Sequence, residues 1–288
     1  MRKKFFVMAA LALGTFVSVT LTSCGDDDEP APHEQQDDNG QGGNNGGGQL
    51  GEDKSGEIDG HAYVDLGLPS GTLWATCNIG ASKPEEYGGY FALGETVPYG
   101  KEDRSNSMNY ATTGSYTKTI YSWKTYKYST SSGTSIIKPA SITKYCSDYG
   151  GWGSYYGYNG FTDELTKLEL SDDAAYVNWG TAWRMPTFGQ FEELINVFNT
   201  SITWTNENGV NGLKIVSDSN GNSIFLPAAG IRFDRWENAG SYGYYCSCTL
   251  NASNPLDAGN MYFYDSHYET VKNGYRSSGL SVRPVRNQ

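Results

Sequence analysis

Apolar and polar positions along residues 57–288 change over with a short period, and the breaks fall on glycine, proline and asparagine. Ala62-Tyr63-Val64-Asp65-Leu66-Gly67-Leu68-Pro69-Ser70-Gly71 predicts a strand running into a turn, and Thr72-Leu73-Trp74-Ala75-Thr76-Cys77-Asn78-Ile79 predicts the next strand. Leu213-Lys214-Ile215-Val216-Ser217 and Ser223-Ile224-Phe225-Leu226 flank Asp218-Ser219-Asn220-Gly221-Asn222, a hairpin signal because Asn and Gly both accept positive φ. The same five residues begin like a calcium loop. No acid lies between Ser223 and Pro227 to complete a coordination shell, so the plain hairpin is preferred.

Helical periodicity is rare. Phe188, Phe191, Leu194, Ile195 and Phe198 recur at helical spacing and make one apolar face. Thr187 and Gln190 supply a capping box at its start. A shorter helix is expected over residues 172–179, with Ser171 as N-cap and Gly180 as its stop. Asp172 and Asp173 look like paired catalytic carboxylates, but the first turn of a helix favours acids through its dipole, so their role is read as structural. Trp74, Trp183, Arg184, Pro186, Phe188 and Arg283 are assigned to the core and its buried polar contacts, with Arg184 expected to pair with an acid such as Glu95.

The N-terminal pattern is of another kind. Arg2, Lys3 and Lys4 precede an apolar run from Phe5 to about Val19 that is too short to span a bilayer as a helix. Residues 1–23 therefore read as a secretory signal. Leu21-Thr22-Ser23-Cys24 resembles a bacterial lipobox, which implies lipidation of Cys24, and Gly25-Asp26-Asp27-Asp28-Glu29 resembles the acidic export signal of surface lipoproteins in the Bacteroidetes. The expected location is the outer membrane, with the domain exposed at the surface and held through the lipid on Cys24. Residues 24–56 are Gly, Asn, Gln and Asp with little that is apolar, hence a flexible tether.

Charge then removes one class of partner. The net charge is −11, and the tether holds nine acids against one lysine, so the domain itself is only mildly acidic. It has no basic stripe for phosphate backbones, and a nucleic-acid partner is not expected. The 22 Tyr, 7 Trp and 36 Gly point instead to a loop-rich extracellular domain with many aromatic side chains for contacts. The Tyr- and Gly-rich stretch 145–161 has the composition of a recognition loop.

Several segments taken in order carry a family resemblance: Val64-Asp65-Leu66-Gly67-Leu68, GTLWATCNIGASKPEEYGGYFALGET (71–96), YNGFTDEL (158–165), DDAAYVNWG (172–180), WRMPTFGQFEELI (183–195), NGNSIFLPAAG (220–230) and GLSVRPVR (279–286). Together they resemble the Fibrobacter succinogenes major paralogous domain of bacterial surface lipoproteins, over about residues 60–286. The resemblance implies an α+β, C-type-lectin-like fold, with two helices on mixed, mostly antiparallel sheets and long irregular loops, related to the formylglycine-generating-enzyme superfamily. The same fold carries the variable proteins of diversity-generating retroelements, whose last strands and loops present the ligand surface. In this chain that region is 232–279.

The expected function is accordingly a non-catalytic, lipid-anchored binding module for a glycan or protein ligand, with no cofactor. Its contact residues are expected to be Asp234, Arg235, Trp236, Glu237, Tyr242, Tyr244, Cys246, Cys248, Asn251, Tyr262, Tyr264, His267 and Tyr268. An envelope or fimbria-associated subunit is the alternative, and a copper-dependent thiol oxidase a lesser one suggested by Cys246 and Cys248. Those two cysteines share a strand face with Tyr244. A direct disulfide between them is geometrically poor. Their spacing does not match common structural zinc sites, and His33, His61 and His267 form no metal motif. With Cys77 and Cys146 they make four thiols and three possible pairings.

Overall fold

Most strands pair with their neighbours in sequence, and one pairing, the strand of residues 73–75 with that of 285–286, brings the two ends of the domain together. In chain order the strands are β1 (Gly56–Ile58), β2 (His61–Asp65), β3 (Leu73–Ala75), β4 (Ser129–Thr130), β5 (Ser141–Ile142), β6 (Thr200–Glu207) and β7 (Val210–Ser217). There follow β8 (Ser223–Pro227), β9 (Ile231–Arg232), β10 (Trp236–Glu237), β11 (Tyr242–Leu250), β12 (Asp257–Tyr264), β13 (His267–Tyr275) and β14 (Val285–Arg286). Two α-helices, α1 (Ala174–Trp179) and α2 (Phe188–Leu194), lie between β5 and β6. The computed structural model describes residues 54–98, 121–123, 125–130, 141–146, 162–163, 165–233 and 236–286, without the side chains of Trp236 and Glu237. Cys24, the leader, most of the tether, residues 147–161, Asp234 and Arg235 lie outside the described residues.

The sheets are ordered β1-β2-β3-β14, β6-β7-β8 and β11-β12-β13, with two-stranded pairs β4-β5 and β9-β10. All these pairings are antiparallel, and isolated bridges Gly230–Gly243 and Tyr245–Ser281 are parallel. The fold is α+β, with two helices and mostly antiparallel sheets among the described residues. The folded region begins slightly before residue 57: Gly56 opens β1, and Ser55 Oγ accepts from Asp65 N–H at 2.9 Å.

The hairpin between β7 and β8 forms where the Asn-Gly pair predicts it, with Gly221 at φ 77°. Its polar side chains turn inward onto the chain. Asn220 and Asn222 donate to Asp65 O at 2.9 and 2.8 Å, and Ser217 Oγ donates to Leu66 O at 2.6 Å. Hence the hairpin tip caps the end of β2.

The capping box at α2 is complete: Thr187 Oγ1 accepts from Gln190 N–H and Gln190 Oε1 from Thr187 N–H. The helix stops earlier than its apolar spacing predicts. Phe191 and Leu194 are buried, whereas Phe198 lies beyond the helix and is 88% exposed. Thr200 Oγ1 donates to Leu194 O at 2.7 Å, so the chain turns into β6 instead of making another helical turn.

At α1 the N-cap is Asp173, not Ser171. Its carboxylate accepts from Ala175 and Tyr176 N–H, and also from Met185 N–H at 3.0 Å, which ties the helix to the segment leading into α2. Asp172 belongs to a preceding 3-10 turn. The expected Arg184–Glu95 pair is replaced by other contacts. Arg184 donates to Thr181 O and Trp183 O and lies over the Tyr176 ring, while Glu95 accepts from Lys127 N–H.

Two apolar clusters fill the interior. Tyr245, Met261 and Phe263 from β11 and β12 join Trp74, Phe191 and Leu194 in one. Cys246, Cys248 and Ala258 join Ala174, Ala175 and Trp183 in the other. Gly243 is cross-strand partner to Phe263, and a Cβ at Gly243 would sit 2.1 Å from the Phe263 ring. The ring needs the space that glycine leaves. Gly243→Ala is expected to destabilise the domain by about 1–3 kcal/mol through overpacking, read by urea denaturation.

Two arginines are buried with the carbonyl groups they bind. Arg283, with no exposed surface, donates to Asn78 Oδ1 at 2.9 Å, to Ala75 O and Thr76 O at 3.1 and 2.6 Å, and to Phe225 O at 2.9 Å. Arg276 donates to Tyr145 O at 2.6 Å, Pro255 O at 2.7 Å and Lys144 O at 2.8 Å, and also to the Tyr126 hydroxyl. Segments far apart in sequence are stitched together by these two side chains.

Candidate functional site: an aromatic sheet face and its cleft

Alternation along β11 sends Tyr242 and Tyr244 to one face and Gly243 and Tyr245 to the other. The antiparallel register sets Tyr242 opposite Tyr264 and Tyr244 opposite Tyr262, and then Tyr262 opposite Glu269 and Tyr264 opposite His267. Four tyrosines, a histidine and a glutamate thus share the outer face of three strands. Ring centroids are 4.7 Å apart for Tyr242–Tyr264 and 6.0 Å for both Tyr244–Tyr262 and Tyr242–Tyr244, with interplanar angles of 30°, 18° and 12°. His267 lies 5.0 Å from Tyr264 and 5.7 Å from Tyr262. Such cross-strand aromatic pairs stabilise the sheet and present adjacent ring faces as well.

The polar end of this face is a small network. The Tyr262 hydroxyl donates to Glu269 Oε1, and His267 Nε2 lies 3.4 Å from the same oxygen. The hydrogen bond to Glu269, assisted by burial, pushes the Tyr262 phenol up to about 12. Hydrogen bonds from Tyr262 and His267 hold Glu269 below the usual carboxylate range. Tyr262 is therefore a neutral donor and Glu269 an anion over the physiological range.

Beside the tyrosines opens a cleft of about 500 Å³. Tyr244, Tyr262 and Glu269 form one wall, and Ile231, Phe233 and Leu280 contribute apolar surface. Asn260, Asn273, Tyr275 and Ser278 add polar groups. The pairing of β12 with β13 shifts register between Ala258 and Asn260, next to this lining. A Cβ at Gly274 would stand 1.8 Å from Asn260 Nδ2, so that glycine lets the amide lie across β13. A concavity of this size, largely apolar with a few convergent polar groups, is typical of ligand sites.

The expected contact residues divide clearly. Tyr242, Tyr244, Tyr262, Tyr264 and His267 come together on the outer face. Trp236 and Glu237 form the backbone of β10, paired with β9. Asn251 serves the turn after β11, donating to Lys272 O at 2.5 Å and accepting from Ser253 N–H. Tyr268 packs against the inner cluster, on the opposite side of the sheet.

Burial takes Cys246 and Cys248 out of the contact surface. They do share Tyr244's side of β11, but that side runs from the cleft under the apolar residues of α1, leaving them 3% and 8% exposed. Burial pushes the Cys246 thiol up, and that of Cys248 to about 12, with the Asp173 carboxylate adding to both. Cys77, Cys246 and Cys248 are free thiols. No group of three or more potential metal-ligating side chains is present among the described residues.

Sequence reasoning missed Glu269, Asn260, Asn273, Tyr275 and Ser278. Glu269 had a usable signal, since it lies two residues beyond His267 and strand alternation puts both on one face. Ser278 had none, because it reaches the cleft from the turn after β13. Comparison of the chain with protein-family models, curated proteins and solved structures finds no match.

Proposed function

We propose that this domain is a non-catalytic binding module of C-type-lectin-like architecture, carried on a lipid anchor at Cys24 and facing outward from the outer membrane. Its ligand is a glycan, bound on the outer face of β11–β13 and in the adjoining cleft. The observation that carries this reading is the tyrosine face. Neighbouring rings whose planes lie within 12–30° of one another suit the flat C–H faces of successive sugars, while Glu269, Asn260 and Asn273 offer partners to ring hydroxyls. Three of the four tyrosines, Tyr242, Tyr244 and Tyr262, sit partly buried, and phenols order at low entropic cost.

The oxidase reading is disfavoured by the placement of Cys246 and Cys248, which a substrate thiol reaches only by opening the apolar core. The test of the glycan reading is an array of immobilised glycans probed with the purified protein. Binding is expected, and the combined change Tyr244→Ala, Tyr262→Ala and Tyr264→Ala is expected to weaken it by about 100-fold, as loss of several contact aromatics does elsewhere. Binding that survives the triple change would remove the site from this face. A protein ligand captured with no glycan bound would remove the glycan.

A further inference from the structure

We infer that the cleft selects a cationic glycan, one bearing a free ammonium group of the amino-sugar type. The inference rests on the glycan reading above and deepens it. Among the described residues lining the cleft, Glu269 is the only charged side chain. Its carboxylate is bonded by the Tyr262 hydroxyl, and Tyr244, Tyr275 and Phe233 line the same cleft. Aromatic rings around a single anion make a site for a cation: the ring faces attract positive charge and the carboxylate neutralises it. A neutral sugar can donate hydroxyls to the carboxylate, but only a cation also neutralises its charge. An acidic sugar would meet like charge.

Two further features suit an amino sugar rather than a bare ammonium ion. Ser278 is 3% exposed, and its Oγ has no hydrogen-bond partner among the described residues, although the residue lines the cleft. A buried hydroxyl without a partner costs stability, and a sugar hydroxyl supplies one once the Ser278 side chain rotates toward the cleft that the residue lines. Asn260, 4% exposed, places an amide on the same lining. The volume of about 500 Å³ accommodates more than an ammonium alone. His267 approaches Glu269 from the tyrosine face at 3.4 Å and does not line the cleft, so one carboxylate oxygen is engaged while the second remains for the ligand.

Calorimetric titration of the full chain in detergent tests this with three probes: a short glucosamine oligosaccharide, its fully N-acetylated counterpart, and oligolysine, under conditions that protonate the amines. The expected result is binding of the glucosamine oligomer about tenfold tighter than the acetylated one, with the preference abolished by Glu269→Gln. That change keeps side-chain volume on a solvent-accessible residue, so the fold is retained. Equal affinity for the two oligosaccharides overturns the inference while the glycan reading stands. A preference for oligolysine over both makes the ligand's cation a protein's, and neither statement survives it. A glucosamine preference that persists in Glu269→Gln places the cation elsewhere and also overturns the inference.

Discussion

Arg283→Met is expected to cost about 3–5 kcal/mol of unfolding free energy, because it strips the donor from several buried acceptors at once. Arg283 has no exposed surface and holds four acceptors: Asn78 Oδ1, Ala75 O, Thr76 O and Phe225 O. Methionine fills much of the volume but donates to none of them. Each abandoned buried acceptor carries a penalty of about 1–3 kcal/mol, relieved in part where water enters. Asn78 then loses its partner while its amide still donates to Tyr87 O and Tyr245 Oη. Urea denaturation followed by tryptophan fluorescence measures the loss. A midpoint unchanged from the parent would mean that the guanidinium's desolvation cost cancels everything it binds.

The second large effect belongs to Asp172. Its carboxylate is buried at the centre of a cluster, accepting from Lys127 Nζ at 2.8 Å, Lys144 Nζ at 2.6 Å and the Tyr145 hydroxyl at 2.5 Å. Burial by itself would raise its pKa, but these hydrogen bonds, with that of Tyr128, hold it well below the usual carboxylate range. A carboxylate depressed in the folded state stabilises the fold above its unfolded pKa of about 4, and that stability is lost progressively as the pH falls below this value. Asp172→Asn is expected to lower stability by about 2–4 kcal/mol at neutral pH, since two charge-assisted bonds are weakened and both lysines retain routes to water. It should also flatten the acid limb of the stability–pH curve. An acid limb as steep as the parent's would assign that dependence to other carboxylates. The cluster also fixes Tyr145, which holds a left-handed φ of 61° with its N–H on Asp163.

Local chemistry was legible where it was self-sufficient. Asn220-Gly221 specifies a turn by its own dihedral preferences, and Thr187 with Gln190 specifies a helix start by reciprocal hydrogen bonds. Both appear in place. The cap of α1 was not legible, because Asp173 is selected over Ser171 partly by Met185, a partner supplied by tertiary structure. Helical spacing carried Phe198 into α2, yet the helix ends when Thr200 takes up a carbonyl of the last turn.

On the site, Tyr242, Tyr244, Tyr262 and Tyr264 were singled out by residue type and by their place in the last strands, and it is strand alternation that sets them on one face. It also correctly joined Cys246 and Cys248 to Tyr244's face. What it could not show is that one face of one strand passes from a solvent-filled cleft to a covered core within two residues. Coverage comes from α1, some seventy positions upstream. Tyr268 lies on the other side for a related reason: composition singles out tyrosines, whereas the register of β13 puts Glu269 and not Tyr268 on the face of the cleft.

The strand partnership of β3 with β14, together with Arg283 and Arg276, has a consequence for the order of assembly. Residues 276–286 supply the outer strand for Trp74 and the donors for carbonyls at 75, 76, 144, 145, 225 and 255, all of which leave the ribosome earlier. The core around Trp74 must wait with its acceptors unsatisfied until that late segment arrives. Contacts separated by some two hundred residues carry a high loop-closure cost and slow folding. A nascent chain of this sequence therefore cannot complete its core until residues 276–286 have emerged, and its first half stays open to chaperones for as long as synthesis lasts.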